Sequence, residues 1–181
     1  MSPLVLRLPF LGAFALLSAG CADPHRMIVS VPDQRMAVYH QETLLATFPV
    51  STSRFGYGDE PGTNRTPLGK LRVAKKIGGG QPSGMKFKSR RATGDIVPVN
   101  APGRDPIVTR ILWLEGRDGQ NRNARRRYIY IHGTPEEARL GTPASFGCVR
   151  MASRDILWLY DTVGTRAKVD IVTTPLPPPP G

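Results

Sequence analysis

The chain has 181 residues, a formal net charge of +11 and 40% apolar residues. That length holds one ordinary domain with a single core, and the composition is that of a globular chain rather than a membrane-embedded one. A positive balance of this size invites a nucleic acid, an anionic membrane surface or an acidic polymer. No nucleic-acid motif and no zinc-ligand spacing accompanies it, so neither nucleic acid nor a metal is expected. The basic residues are scattered, with short clusters at Lys86, Lys88, Arg90, Arg91 and at Arg122, Arg125, Arg126, Arg127. Both clusters read as solvated loops in preference to a binding groove.

Residues 1–22 read as an export signal. Arg7 gives a weak positive start, and Leu8 to Leu17 form an apolar run too short to span a bilayer but suited to a secretory signal. Two cleavage routes stay open. Small residues at Gly20 and Ala22 permit ordinary cleavage before Asp23. Alternatively, Ala19-Gly20-Cys21 resembles the end of a lipoprotein signal, although Ser18 stands where Leu is usual; Cys21 would then be acylated and anchor the domain to a membrane. Either route takes the domain to the periplasm or cell envelope. Of the two cysteines, Cys21 is then cleaved off or acylated, and Cys148 has no disulfide partner. An unpaired thiol in an oxidising compartment is a liability unless its reactivity is used, or unless it is buried as a small inert hydrophobe.

After the signal, β-type runs recur between turn residues. Met27 to Val31, Arg35 to His40 and Leu44 to Val50 come first, with Pro32-Asp33-Gln34 as a tight turn. Gly69 to Ala74, Ile107 to Leu114, Tyr128 to His132 and Lys168 to Thr173 extend the pattern. One helix is predicted, capped by Ser153, with Ile156, Leu159, Tyr160 and Val163 on one face and Gly164 as its stop. Pro135 to Arg139 adds one more helical turn. The predicted fold is mainly β: a β-sandwich or partly closed barrel of mixed strands with one or two short helices, over residues 26–173. Residues 174–181 form a proline-rich, extended tail. Between Gly78 and Asp105 a long Gly-, Pro- and Lys/Arg-rich segment breaks the strand rhythm. It reads as a loop, hinged around a shaped segment rather than a buried strand, that is either a mobile cover or an insertion without a role.

The strongest chemical signal lies between Tyr128 and Met151. It reads Tyr-Ile-Tyr-Ile-His132-Gly133-Thr134 and then, after a short excursion, Ser145-Phe146-Gly147-Cys148-Val149-Arg150-Met151. A cysteine acyl-transferase needs a thiolate, a base close enough to take its proton, and backbone N–H groups for the oxyanion. Gly147 before Cys148 allows a tight turn, and the amides of both residues are oxyanion-hole candidates. His132 closes a strongly apolar strand, so a rigid element places its ring. Gly133 leaves room beside it. Fast thiol labelling near neutral pH is the expected mark of an activated Cys148 against an inert core cysteine.

These residues resemble the signature of the L,D-transpeptidase family with the YkuD-type catalytic domain. Pro49-Val50-Ser51-Thr52, Thr66-Pro67-Leu68-Gly69 and the run from Asp105 to Leu114 are similar to other family motifs, so the likeness spans about Met27 to Thr173. The resemblance implies that Cys148 attacks the carbonyl of the third residue of a peptidoglycan tetrapeptide stem, next to a terminal D-alanine. His132 takes the thiol proton and returns one to the leaving amine, Gly133 being the orienting position. The acyl-enzyme passes to an amine on another stem or on an envelope-protein lysine, with no cofactor. Ser145, Phe146 and Arg150 fall at positions near the substrate, Arg150 either in an ion pair or on a stem carboxylate. Many members carry His where Phe146 stands, which leaves the fine positioning of substrate open. Release of the acyl-enzyme to water, as in an L,D-carboxypeptidase, and a non-catalytic wall-binding module are the alternatives.

Overall fold

The computed structural model describes residues 23–103 and 105–178, and it joins ten strands in one sheet. The export signal with Cys21 and the last three residues of the tail lie outside the described residues. Strands β1 (His25–Ser30), β2 (Arg35–His40) and β3 (Thr43–Pro49) form an antiparallel meander. Its register opposes Met27 to Val38 and Val29 to Met36, and all four are completely buried. A slip of one residue would turn that apolar face to solvent, so the sequence pattern pins the pairing.

The last strand, β10 (Lys168–Val172), lies parallel to β1 and antiparallel to β4 (Gly69–Ile77), which ties the chain's end into the middle of the sheet. Beyond β4 come β7 (Ile107–Gly116), β8 (Tyr130–Gly133) and β9 (Val149–Met151), the last two paired in parallel. Past β3 the chain runs on beside β9, bridging Ser51 to Arg150 and Ser53 to Ser145. The two ends of the sheet therefore approach one another, giving a mainly β, partly closed barrel of mixed strands.

Helix α1 (Ser153–Thr162) packs Ile156 and Leu159 into the main core together with Ile131, Val149 and Met151. Its start differs from the prediction. Ala152 occupies the cap position, and the Ser153 N–H donates to the Glu137 carboxylate at 2.8 Å. Glu137 belongs to the predicted helical turn, a 3₁₀ segment at Glu137–Arg139. A carboxylate from a neighbouring turn thus satisfies a helix-terminal donor that sequence reading assigned to the helix's own serine. Among the described residues no helix is long and apolar enough to cross a membrane.

The largest correction concerns the segment from Gly78 to Asp105. It contains β5 (Met85–Lys88) and β6 (Arg91–Ile96), a hairpin whose first strand pairs with the start of β7. Met85 and Phe87 are buried against Ile111 and Tyr130 in a second, smaller cluster. Met-Lys-Phe-Lys is a period-two strand, buried on one face and basic on the other. Reading its lysines as a charge cluster hid the alternation.

Candidate active site

His132 lies on β8 between two strands, and every residue of β8 is buried. Its Nδ1 is 2.8 Å from the Gly133 carbonyl oxygen, so the ring is held by the backbone of the next residue. A side chain at Gly133 would place a Cβ 2.6 Å from the Val108 carbonyl oxygen and 3.1 Å from Thr109 Cβ. That crowding comes from an irregularity in β7 between Val108 and Ile111, where Thr109 takes a left-handed backbone (φ 70°) unusual for a β-branched residue. The Thr109 hydroxyl shares a 2.8 Å hydrogen bond with Ser153 and accepts the Gly84 N–H. Burial pushes the imidazole below its ordinary value near 6.5; the Gly133 carbonyl and Asp105 oppose this, and Arg150 adds to it. His132 is therefore a neutral imidazole at physiological pH.

The β8–β9 register sets His132 beside Arg150 and Ile131 beside Val149. Alternation then puts Tyr130, His132, Cys148 and Arg150 on the face opposite the main core. Cys148 is half-buried and packs against the cluster of Met85, Phe87, Ile111 and Tyr130. Its thiol donates to the Tyr128 carbonyl at 3.5 Å rather than to His132. Burial pushes the thiol up to about 11, against the Tyr130 backbone N–H and Arg127, which favour the thiolate. The resting pair is thus neutral thiol and neutral imidazole. On this arrangement, labelling of Cys148 near neutral pH should be slow.

The turn before Cys148 is fixed from several sides. Ser145 Oγ donates to the Cys148 carbonyl at 2.6 Å and accepts the Gly147 N–H at 3.2 Å. Gly147 has φ 118°, and a Cβ there would press on the Arg65 carbonyl at 3.2 Å, so glycine is required on both counts. The Gly147 carbonyl accepts the Thr66 hydroxyl at 3.1 Å, and that hydroxyl accepts the Ser53 N–H. Thr66 and Ser53, in or beside motifs already visible in the sequence, therefore brace the cysteine turn.

Two of the predicted substrate contacts, Ser145 and Arg150, are buried. The Ser145 hydroxyl is committed within the turn. Arg150 is 2% exposed; its guanidinium pairs with Asp105 and with Glu136 (2.9 Å) and reaches Ser51 Oγ at 3.2 Å. With two carboxylates already engaged, Arg150 is a structural ion-pair centre. The Gly147 amide is likewise directed at Ser145, which leaves the Cys148 amide as the stronger oxyanion candidate. Phe146 is exposed and does border the site. Its ring stands 5.5 Å from that of Phe55, with Arg54 4.4 Å above it.

Beside the thiol opens a cleft of about 260 Å³, lined in part by Asn64, Arg126, Arg127, Ile129, Phe146 and Cys148. Arg127 is immobilised by Asp59 at 3.1 Å and by the carbonyls of Gly58 (3.0 Å) and Arg65 (2.6 Å). The family model described as "YkuD: L,D-transpeptidase catalytic domain" matches residues 24–171. The chain belongs to this family.

The YkuD protein of Bacillus licheniformis is 24% identical over 148 residues, covering 82% of this chain and 66% of its own. L,D-transpeptidase 3 from Mycobacterium tuberculosis, solved with a faropenem-derived adduct, superposes with a TM-score of 0.54 at 18% identity, covering 82% of this chain and 60% of its own. The L,D-transpeptidase of Xylanimonas cellulosilytica gives 0.54 at 15% identity, with 84% and 62% covered. The chain thus spans about two thirds of the curated relative and three fifths of these solved chains. At this identity the superpositions establish the fold. Within this L,D-transpeptidase domain, sequence reading passed over the Tyr128 carbonyl, a backbone atom with no side-chain signal. It also passed over Asp59 as the anchor of Arg127, since 68 residues separate the two.

Proposed function

We propose that the chain is a peptidoglycan L,D-transpeptidase with Cys148 as nucleophile and His132 as its base. One observation carries this reading: a thiol on a braced glycine turn at the mouth of a cleft, on the same sheet face as a buried neutral imidazole one strand away. A neutral imidazole accepts a proton and a neutral thiol supplies one, so deprotonation accompanies attack. As substrate enters, the thiol turns from the Tyr128 carbonyl toward His132. The sulfur bonds to the carbonyl carbon before the terminal D-alanine, and the thiol proton moves to His132. The tetrahedral oxyanion takes the Cys148 N–H. Collapse breaks the C–N bond, and the imidazolium gives its proton to the departing D-alanine amine. An acceptor amine, on a second stem or an envelope-protein lysine, then attacks the thioester and frees the thiol. The reading includes export by residues 1–22, with Cys21 as the site of acylation if the domain is anchored.

Intact-mass measurement with a tetrapeptide-stem muropeptide tests it. The wild type should show an acyl adduct on Cys148, released D-alanine and a crosslinked product, and Cys148→Ala should show none. His132→Ala should lower the rate by roughly 10² or more. D-alanine release by Cys148→Ala at the wild-type rate would refute the assignment. Adduct with hydrolysed tripeptide and no crosslink would make the enzyme an L,D-carboxypeptidase. A β-lactam of the class found on the Mycobacterium tuberculosis relative should modify the same thiol and leave Cys148→Ala untouched.

A further inference from the structure

The hairpin of β5 and β6 ends in a two-residue turn in which both residues, Ser89 (φ 50°) and Arg90 (φ 67°), are left-handed. Turns of this kind match the twist of the strands but favour Asn and Gly. Here two residues with side chains occupy the strained positions. The turn delivers Arg90 onto a group of aromatic rings beside Cys148. Its guanidinium lies 4.9 Å from the centroids of both Trp113 and Tyr128, which are 5.8 Å from each other. One edge reaches the Tyr130 hydroxyl at 3.5 Å. Two of these residues also touch the thiol's surroundings: the Tyr128 carbonyl accepts the Cys148 proton, and Tyr130 packs in the cluster that Cys148 joins.

Of the other arginines close to Cys148, two are held by carboxylates, and Arg126 reaches the neutral Asn123 Oδ1 at 3.0 Å without resting on an aromatic ring of the described residues. Arg127 is held by Asp59, and Arg150 by Asp105 and Glu136. Arg90 has no carboxylate partner among the described residues, and the neighbouring Lys86 is paired with Asp95. A guanidinium resting its face on aromatic rings, with N–H donors left along its edge, suits edge-on binding of a planar anion. We propose that Arg90, oriented by Trp113 and Tyr128, binds a carboxylate of the acyl-donor peptide and so registers that peptide over Cys148. The proposal rests on the transpeptidase reading for the identity of the peptide. The two residues that flank the scissile bond in such a stem each carry one carboxylate, and these are the candidates: that of the terminal D-alanine, and the side-chain carboxylate of a diaminopimelate third residue.

Binding to the inactive Cys148→Ala protein, measured by calorimetry, tests the idea without turnover. The probes are the diaminopimelate tetrapeptide and its two singly amidated forms. Adding Arg90→Gln should weaken binding of the unmodified peptide about tenfold or more. One of the amidated peptides should bind equally well with and without the Arg90→Gln substitution, and which one it is identifies the carboxylate. Arg54→Gln, which removes the same charge from the Phe146 wall, should have a much smaller effect. Equal losses from Arg90→Gln and Arg54→Gln, or equal losses on all three peptides, would overturn the proposal. D-alanine release by the wild-type enzyme tests the transpeptidase reading separately. If release is absent while Arg90 still discriminates the carboxylate in binding, that reading fails and the anion site stands.

Discussion

A cysteine whose thiol is pushed up to about 11 and a histidine held below 6.5 form a different pair from a preformed thiolate–imidazolium. Alkylation of the free enzyme by iodoacetamide should therefore climb by about tenfold per pH unit from pH 7 to 10, because the thiolate fraction limits the rate. A plateau near neutral pH would contradict the arrangement. The same histidine gives folding an acid limb. Its folded value lies below its unfolded one, so the unfolded chain binds the proton more readily. The stability linked to a neutral His132 is complete above about 6.5 and declines as pH falls from there toward the folded value. Beside it, Gly133→Ala forces a Cβ to within 2.6 Å of the Val108 carbonyl oxygen. Backbone cannot yield as a flexible side-chain end would, so the substitution should cost about 1–3 kcal/mol in urea denaturation. It should also slow D-alanine release by moving the imidazole. Unchanged stability and unchanged rate together would show that β7 relaxes freely at its bulge.

Elements with one clear periodicity were legible in the sequence. The meander from Met27 to Val50 and helix α1 follow from alternating and 3.6-residue patterns that the core then buries. What stayed hidden was set by partners distant in the chain. The α1 donor bonds Glu137, 16 residues away, and Arg150 meets Asp105, 45 residues away. The candidate site was legible where it consists of side chains in one short segment, His132 and Cys148. It was not legible where backbone carbonyls and a folded hairpin complete it. The β5–β6 hairpin also makes a separable prediction. Phe87 belongs to the small cluster with Met85, Ile111 and Tyr130, not to the main core. Phe87→Ala should remove about 3 kcal/mol or more of packing. That loss should appear as faster hydrogen exchange and proteolysis within residues 85–96, leaving β10 and β1 protected. Loss of protection throughout the sheet would mean that the two clusters fold as one unit.

At the scale of the whole molecule, the barrel is held shut where the chain beyond β3 meets β9, and Arg150 sits at that seam. Its guanidinium joins β9 to Asp105 ahead of β7, to Glu136 after β8, and to the Ser51 hydroxyl on the closing segment. Thr134, close to His132, donates to the same Asp105 carboxylate, so seam and site share one network. Arg150 itself is 2% exposed, whereas the two carboxylates retain about a fifth of their side-chain surface. An ion pair of this kind gives little net stability against an apolar replacement of the whole set, yet removing one partner strands the others. Arg150→Met should therefore cost about 3 kcal/mol, the lower end of the range for broken buried pairs, because water can still reach Asp105 and Glu136. Arg150→Lys should recover only part of this, since an ammonium is a point charge without the planar fork that serves two carboxylates and a hydroxyl at once. The triple change Arg150→Met with Asp105→Asn and Glu136→Gln separates charge from packing, because it removes the cation and both anions together. Urea denaturation should place the triple variant closer to wild type than Arg150→Met alone. If the single and triple variants lose the same stability, the seam is held by the packing of the Arg150 side chain and not by its charge.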